Sequence, residues 1–279
     1  MVLEVKVLKV EHEGVKEARK TIPFIQDADV VSPEVALMPE EAAKSFESFW
    51  NHALSSGWTW DRPRFQAGLK ERIPCYNSGG IKQFFDKVYE YAYRSGKSLF
   101  FLERSLPEKT EKIKKKINEL IGSGATRKMI LQGDLDVLLR YTWNSNSEFI
   151  KANDSRDKIM GSNISAAEEY LRTNYPGLRD KSTIKLVTCV GSMHSPERYT
   201  NVQCVVHDLH PHQSYGHQLI KAIMDGKSLD EAKHTLLQYV ASVPLKFPES
   251  DVKGLSQEKL EAKMREVMLL LRAVSLSAS

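Results

Sequence analysis

The chain has 279 residues, with 40 Lys and Arg against 36 Asp and Glu for a net charge of +4, and it is 41% hydrophobic and 27% charged. That usage excludes wholesale disorder, and a chain near ~300 residues can bury about 75% of its unfolded surface in one large α/β domain or two small ones. So small a charge excess makes no case for a nucleic-acid or membrane partner, despite a pI of 8.8.

Cys75, Cys189 and Cys204 make an odd count without C-x-x-C spacing. This argues against a disulfide framework and a thiolate zinc site, and it fits a reducing compartment. The first ten residues alternate apolar and charged side chains and lack the apolar stretch of a signal peptide. The late apolar run from Val267 to Leu271 is far short of the ~20 residues that span a bilayer. A soluble cytoplasmic protein is expected.

Leu3, Val5 and Val7 alternate with Glu4 and Lys6, which predicts a strand, and a charged, helix-prone stretch follows over 15–22. Asp29 to Glu34 reads as a short β-branched strand with an acid at its C-terminal end. Residues 39–54 open with Pro39, Glu40 and Glu41, as helices often do, and place Phe46, Phe49, Trp50 and Leu54 on one face. Trp58, Trp60, Pro63, Pro74 and Asn77 to Gly80 mark an irregular stretch. A helix over 81–94 carries Phe84, Val88 and Tyr91 on one face and ends with Gly96. Ser98 to Leu102 is a short strand leading into Glu103 and Arg104.

Residues 107–121 predict a charged helix, in which Glu108, Glu111 and Glu119 break the basic run from Lys109 to Lys116 into a solvated face. Residues 131–175 read as helix, loop and helix, with Asn144 to Ser147 as the breaker. Ile184 to Val190 is the strongest strand and runs into Gly191-Ser192-Met193-His194, with Val202 to Val206 as a further strand. The tail from Gln257 to Val274 is a helix with Leu260, Met264, Val267, Leu271 and Val274 on a packing stripe. Alternating strands and helices imply an α/β fold with a mixed, largely parallel central sheet flanked by helices. The expected organisation is one domain over 1–250, with a docked C-terminal helix and tail over 251–279.

Potential metal or proton-transfer residues follow the strands: His12, Glu34, Glu103 with Arg104, and His194. In α/β sheets ligands bind beyond the carboxyl ends of the strands. Imidazoles and carboxylates gathered there can hold a divalent ion that activates water, or do acid–base work without one. Taken singly, each acid could instead cap a helix or form a salt bridge.

The order of these segments resembles the superfamily of TraB proteins, TIKI proteases and erythromycin-esterase-like hydrolases. TraB-type sequences open with a strand into G-x-x-H, matched here by Lys9-Val10-Glu11-His12. A strand reading roughly D-V-V-x-x-E follows, matched by Asp29-Val30-Val31-Ser32-Pro33-Glu34. A middle strand like V-L-I-D-R corresponds to Phe100-Phe101-Leu102-Glu103-Arg104, and E-R-D-x-x-M corresponds to Ser155-Arg156-Asp157-Lys158-Ile159-Met160. The closing strand into G-x-x-H is Leu186 to Val190 followed by Gly191 to His194. The match runs from about residue 3 to residue 200, with Lys9 in place of a Gly and Ser155 in place of a Glu.

The resemblance implies a hydrolase, peptidase- or esterase-type, acting on a small-molecule or peptide substrate. It makes His12 and His194 metal ligands or bases and Glu34 a ligand or base, around a divalent metal such as manganese, cobalt or zinc. Arg156 would stabilise an oxyanion or position an acid, and Glu103 and Asp157 would orient these groups. A catalytically silent binding or scaffold protein on the same fold is the alternative, favoured by the two departures. Nucleic-acid association rests on pI and the Lys109 to Lys116 region alone, and self-association is left open.

A second cluster, His207, His210, His212 and His217, matches neither H-E-x-x-H nor a zinc-finger spacing. It reads as a surface loop or as a loop folding over the His194 end of the sheet. No G-x-S-x-G, Walker or G-x-G-x-x-G motif is present, which leaves serine hydrolases, P-loop enzymes and Rossmann oxidoreductases without support.

Overall fold

Alternate positions along the strands feed two different cores. In β1 (Val2–Val10), Leu3, Val5 and Val7 enter one cluster, while Leu8 and Val10 enter the other. In β6 (Thr183–Gly191), Ile184, Leu186 and Val190 join the first cluster, and Val187 and Cys189 the second. A strand points successive side chains to opposite faces, so burial of both sets requires a sheet covered on both sides.

A computed structural model describes residues 2–11, 14–34, 38–61, 63, 65, 67, 79–109, 111–113, 115, 125–209 and 214–277. Along these residues β1 is followed by α1 (Gly14–Gln26), β2 (Val30–Pro33), β3 (Met38–Pro39), α2 (Glu40–Ser55) and α3 (Gly79–Arg94). Then come β4 (Ser98–Leu99), β5 (Arg104–Ser105), α4 (Ala125–Gln132), α5 (Leu135–Asn174), β6 and β7 (Cys204–Asp208). The chain closes with α6 (Tyr215–Met224), α7 (Lys233–Ser242) and α8 (Gln257–Ser277).

The main sheet has the order β4-β2-β6-β1-β7, and every ladder in it is parallel. β3 and β5 form a separate parallel pair. The fold is therefore α/β as the patterning implied, with a wholly parallel described sheet where a mixed one was expected. Parallel neighbours need crossover segments: helices supply them from β1 to β2, β2 to β4 and β4 to β6, while β6 leads to β7 through the short 3-10 turn Pro196–Tyr199.

The chain forms two compact units: Met1–Lys114 with Asn153–Pro211, and Lys115–Ala152 with His212–Ser279. In the first unit, α1, α2 and α3 cover one face of the sheet through residues such as Ile25, Phe46, Trp50, Phe84 and Tyr89. Met160, Ile164, Ala167 and Leu171 of α5, spaced by three and four residues, cover the other. The second unit is helical, and its core gathers Leu135, Leu138, Leu219, Leu236, Val240, Leu260, Met264 and Met268. The expected boundary at residue 250 falls inside this unit, where α8 packs on α4 and α7.

Two sequence expectations are corrected. The loop at Asn144 to Ser147 is absent, because α5 runs through it. Asn146 Nδ2 donates to the Thr142 carbonyl and Ser147 Oγ to the Trp143 carbonyl, both at 2.8 Å, so these polar residues bond back to their own helix instead of breaking it. The α8 stripe is only partly a packing stripe, since Leu271 and Val274 are exposed beyond Met268, where burial ends. Gly96 does close α3 with a positive φ of 65°. The helix expected over 107–121 lies largely outside the described residues.

Candidate functional site

Parallel strands end on one side of the sheet, and the local sequence places a polar group at each end. Glu34 follows β2, where its N–H bonds the Cys189 carbonyl at 2.7 Å and so keeps it in register with β6. Glu103 sits in the turn after β4. Asn163 of α5 holds that turn, Nδ2 donating to the Leu102 carbonyl at 2.6 Å and the Arg104 carbonyl at 3.0 Å. His194 lies in the turn after β6, where its N–H bonds the Gly191 carbonyl at 2.9 Å. Arg156 and Asp157 lie on α5, one turn before Met160 anchors that helix to the sheet.

These five side chains meet. Arg156 Nη2 pairs with Glu34 Oε1 at 2.8 Å and Glu103 Oε1 at 2.6 Å, and its Nε bonds Glu103 Oε1 at 2.7 Å. His194 Nε2 lies 3.2 Å from Glu34 Oε1, and its Nδ1 lies 2.5 Å from Asp157 Oδ1. Asp157 Oδ2 accepts the Ser195 N–H at 3.0 Å, and Glu34 Oε2 accepts the Gly191 N–H in a short bond. The Glu103 and His194 side chains are 1% and 4% exposed, while Glu34 and Arg156 reach 11% and 14%, so solvent approaches from the Glu34–Arg156 side.

Burial dominates the electrostatics. It pushes the Glu103 carboxyl up to about 7, with Arg156 opposing and Glu34 reinforcing the rise. Burial opposes charge on His194, but the Glu34 carboxylate and hydrogen bonds to Asp157 and Glu34 outweigh it and the Arg156 repulsion, pushing the imidazole up to about 9. At neutral pH His194 is therefore a cation donating from both ring nitrogens. Arg156 is also held more firmly charged, since Glu103 and Glu34 overcome its desolvation. Among the described residues Glu103 Oε2 has no hydrogen-bond partner, which suits a carboxyl that exchanges a proton near neutrality.

Glu34, Glu103, Arg156, Asp157 and His194 thus assemble from four separate segments of the chain. His12 lies outside the described residues, as do His210 and His212. Of the remaining histidines in that second cluster, His207 packs at a 50° tilt against Phe24 with ring centroids 4.7 Å apart, and His217 bonds Ser214 Oγ at 2.9 Å. No group of three His, Cys, Asp or Glu side chains among the described residues is placed to hold a metal ion. The reason is visible in the cluster: the carboxylates face a guanidinium and both imidazole nitrogens face carboxylates. As arranged, these donors do not fit a metal, and no step below runs through one.

Sequence reasoning missed a neighbouring buried pair. Arg104, named beside Glu103, pairs instead with Glu47 at 2.9 Å and lies over the rings of Phe100 and Tyr170, at 4.1 and 4.3 Å from their centroids. Burial raises the Glu47 carboxyl despite Arg104 and the Phe101 N–H. The available signal was an acid inside the apolar stripe of α2, between Phe46 and Trp50.

Gly161 is the other unforeseen element. A Cβ there would lie 2.7 Å from the Pro196 carbonyl oxygen and from Tyr199 backbone and Cβ atoms, in the turn that follows His194. Backbone cannot yield cheaply, so Gly161→Ala is expected to cost about 1–3 kcal/mol and displace that turn. Chemical denaturation, with the amide spectrum of residues 194–199, would check it; a change below about 0.5 kcal/mol with unmoved amides would contradict the close approach.

An open crevice of about 820 Å³ lies at the opposite end of the sheet, bordered by Asp29, His52, Lys97 and Lys181, and contains none of the candidate residues. Its main charges are already engaged: Asp29 by Lys181 at 2.6 Å, and Lys97 by the Gln26 carbonyl at 2.8 Å. The molecule is thus defined as a parallel α/β protein with an imidazolium–guanidinium–carboxylate cluster at the carboxyl ends of its strands. Comparison of the chain with protein-family models, curated proteins and solved structures returned no match. No helix among the described residues is long and apolar enough to cross a membrane.

Proposed function

We propose that the chain is a hydrolase of the TraB, TIKI and erythromycin-esterase-like kind, activating water at the cluster of Glu34, Glu103, Arg156, Asp157 and His194. One observation carries the reading: residues chosen from their order in the chain lie within hydrogen-bond reach of one another, where parallel α/β sheets bind ligands. Glu103, pushed up to about 7 and with Oε2 unpartnered among the described residues, is suited to take a proton from water. His194, charged at neutral pH, enters as an acid that steadies a developing oxyanion or protonates a leaving group. Asp157 orients the imidazole, and Arg156 keeps Glu34 and Glu103 at a fixed separation.

The test is hydrolysis of two panels, nitrophenyl esters and fluorogenic peptides, by wild type and by Glu103→Gln and His194→Asn. Each substitution should lower kcat/KM by about 10²–10⁴-fold while far-UV dichroism is retained. Because the sequence resemblance pointed to manganese, cobalt or zinc, the panels are run with and without each ion, and no dependence on them is expected of the arrangement described. Absence of turnover in every arm would overturn the hydrolase reading. A silent binding protein is the second reading, favoured by the low exposure of Glu34 and Arg156 at 11% and 14%.

A further inference from the structure

Lys9 stands where the G-x-x-H resemblance reads Gly, and its side chain reaches across to partners in a distant turn. It lies in β1, paired with Val190 of β6 on one side and Asp208 of β7 on the other. Its ammonium reaches the turn after β6, donating to Ser195 Oγ at 2.8 Å and pairing with Glu197 Oε1 at 2.8 Å. Ser195 is buried, and the Lys9 and Glu197 side chains are only 16% and 20% exposed. The same Ser195 gives its N–H to Asp157 Oδ2 at 3.0 Å, and Asp157 Oδ1 holds His194 Nδ1 at 2.5 Å.

We propose that Lys9 is a positioning residue for His194, acting through Ser195 and Asp157. Glu197 fixes the ammonium, and the ammonium fixes the Ser195 hydroxyl. With Oγ held, the Ser195 N–H stays aimed at Asp157 Oδ2, so the carboxylate cannot rotate about its bond to His194. Two further backbone bonds, Ser192 N–H to the Val10 carbonyl at 3.1 Å and His194 N–H to the Gly191 carbonyl at 2.9 Å, hold the start of this turn. Neither fixes the Asp157 carboxylate. Supports of this kind determine how tightly a reactive group is oriented. The inference depends on the hydrolase reading only in treating His194 as a site residue.

The experiment reads the dyad rather than turnover. In wild type the proton on His194 Nδ1, short-bonded to Asp157, should give a low-field NMR resonance, and the Ser195 amide should exchange slowly. Lys9→Met should shift or broaden that resonance and speed Ser195 exchange by roughly tenfold or more. Lys9→Arg, which can still donate to both partners, should restore both signals. Lys6→Met, on the same strand, should leave both as in wild type. Ser195→Ala, which keeps the amide and removes the acceptor, should reproduce the Lys9→Met resonance change and serves if Lys9→Met does not fold. An unchanged resonance in Lys9→Met or in Ser195→Ala would overturn the proposal, as would failure of Lys9→Arg to restore it. An inactive wild type with these changes intact would sink the hydrolase reading alone.

Discussion

Arg156→Leu is expected to destabilise the protein by about 3–5 kcal/mol, because it strips the buried Glu103 carboxyl of its cation and leaves the adjacent Glu34 to its pairing with His194. Arg156 contacts Glu34 and Glu103 at 2.8 and 2.6 Å, and Glu103 is 1% exposed, so bulk solvent cannot compensate there for the lost guanidinium charge. Leucine supplies volume without charge, and the two acids then repel each other. The chain can respond only by taking up protons, so the loss should grow as pH rises. Adding Glu103→Gln to Arg156→Leu should recover at least about 1 kcal/mol, a coupling expected of groups in one network. Urea unfolding of the four proteins in the cycle measures this. A single-variant loss below about 1 kcal/mol would mean that the cluster is not held by Arg156.

Stability should also fall as pH rises from about 5 to about 9.5, unlike that of a protein held by ordinary ion-paired carboxylates. Both perturbed acids of the cluster are raised: Glu103 from 4.5 to about 7, and His194 from 6.5 to about 9. A group whose pKa is higher folded than unfolded binds its proton more tightly in the folded state. Its contribution is complete below the unfolded value and is lost as pH climbs through the folded one. Glu103 therefore acts between about 4.5 and 7, and His194 between about 6.5 and 9. Each shift corresponds to on the order of 3 kcal/mol, and because the groups interact the fall is shared rather than summed. Glu103→Gln should flatten the lower limb and His194→Gln the upper. A wild-type profile that is level across this window would contradict the buried-cluster electrostatics.

Much of the site could be found by position in the chain. Glu34, Glu103 and His194 each follow a β-branched or aromatic run, and in a parallel sheet strand ends share one side. Arg156 and Asp157 were found only through the resemblance, since nothing in a polar helix segment marks the face that meets the sheet. The buried partners of that segment, Met160, Ile164, Ala167 and Leu171, show which face it is. Lys9 was read as a departure from a pattern. Its role depends on Ser195 and Glu197, 186 and 188 residues away in the chain.

What the sequence by itself determined is the alternation that makes β1 and β6 two-faced strands, the apolar stripes of the helices, and the list of acids and imidazoles at the strand ends. Those are local, carried by periods of two and about 3.6 residues. Tertiary structure decided the rest: the order β4-β2-β6-β1-β7, the helix running through Asn144 to Ser147, the pairing of Arg104 with Glu47, and the guanidinium between Glu34 and Glu103. The reason is physical. Register, burial and the protonation of a carboxyl are properties of the space around a residue, and that space is furnished by segments far away along the chain.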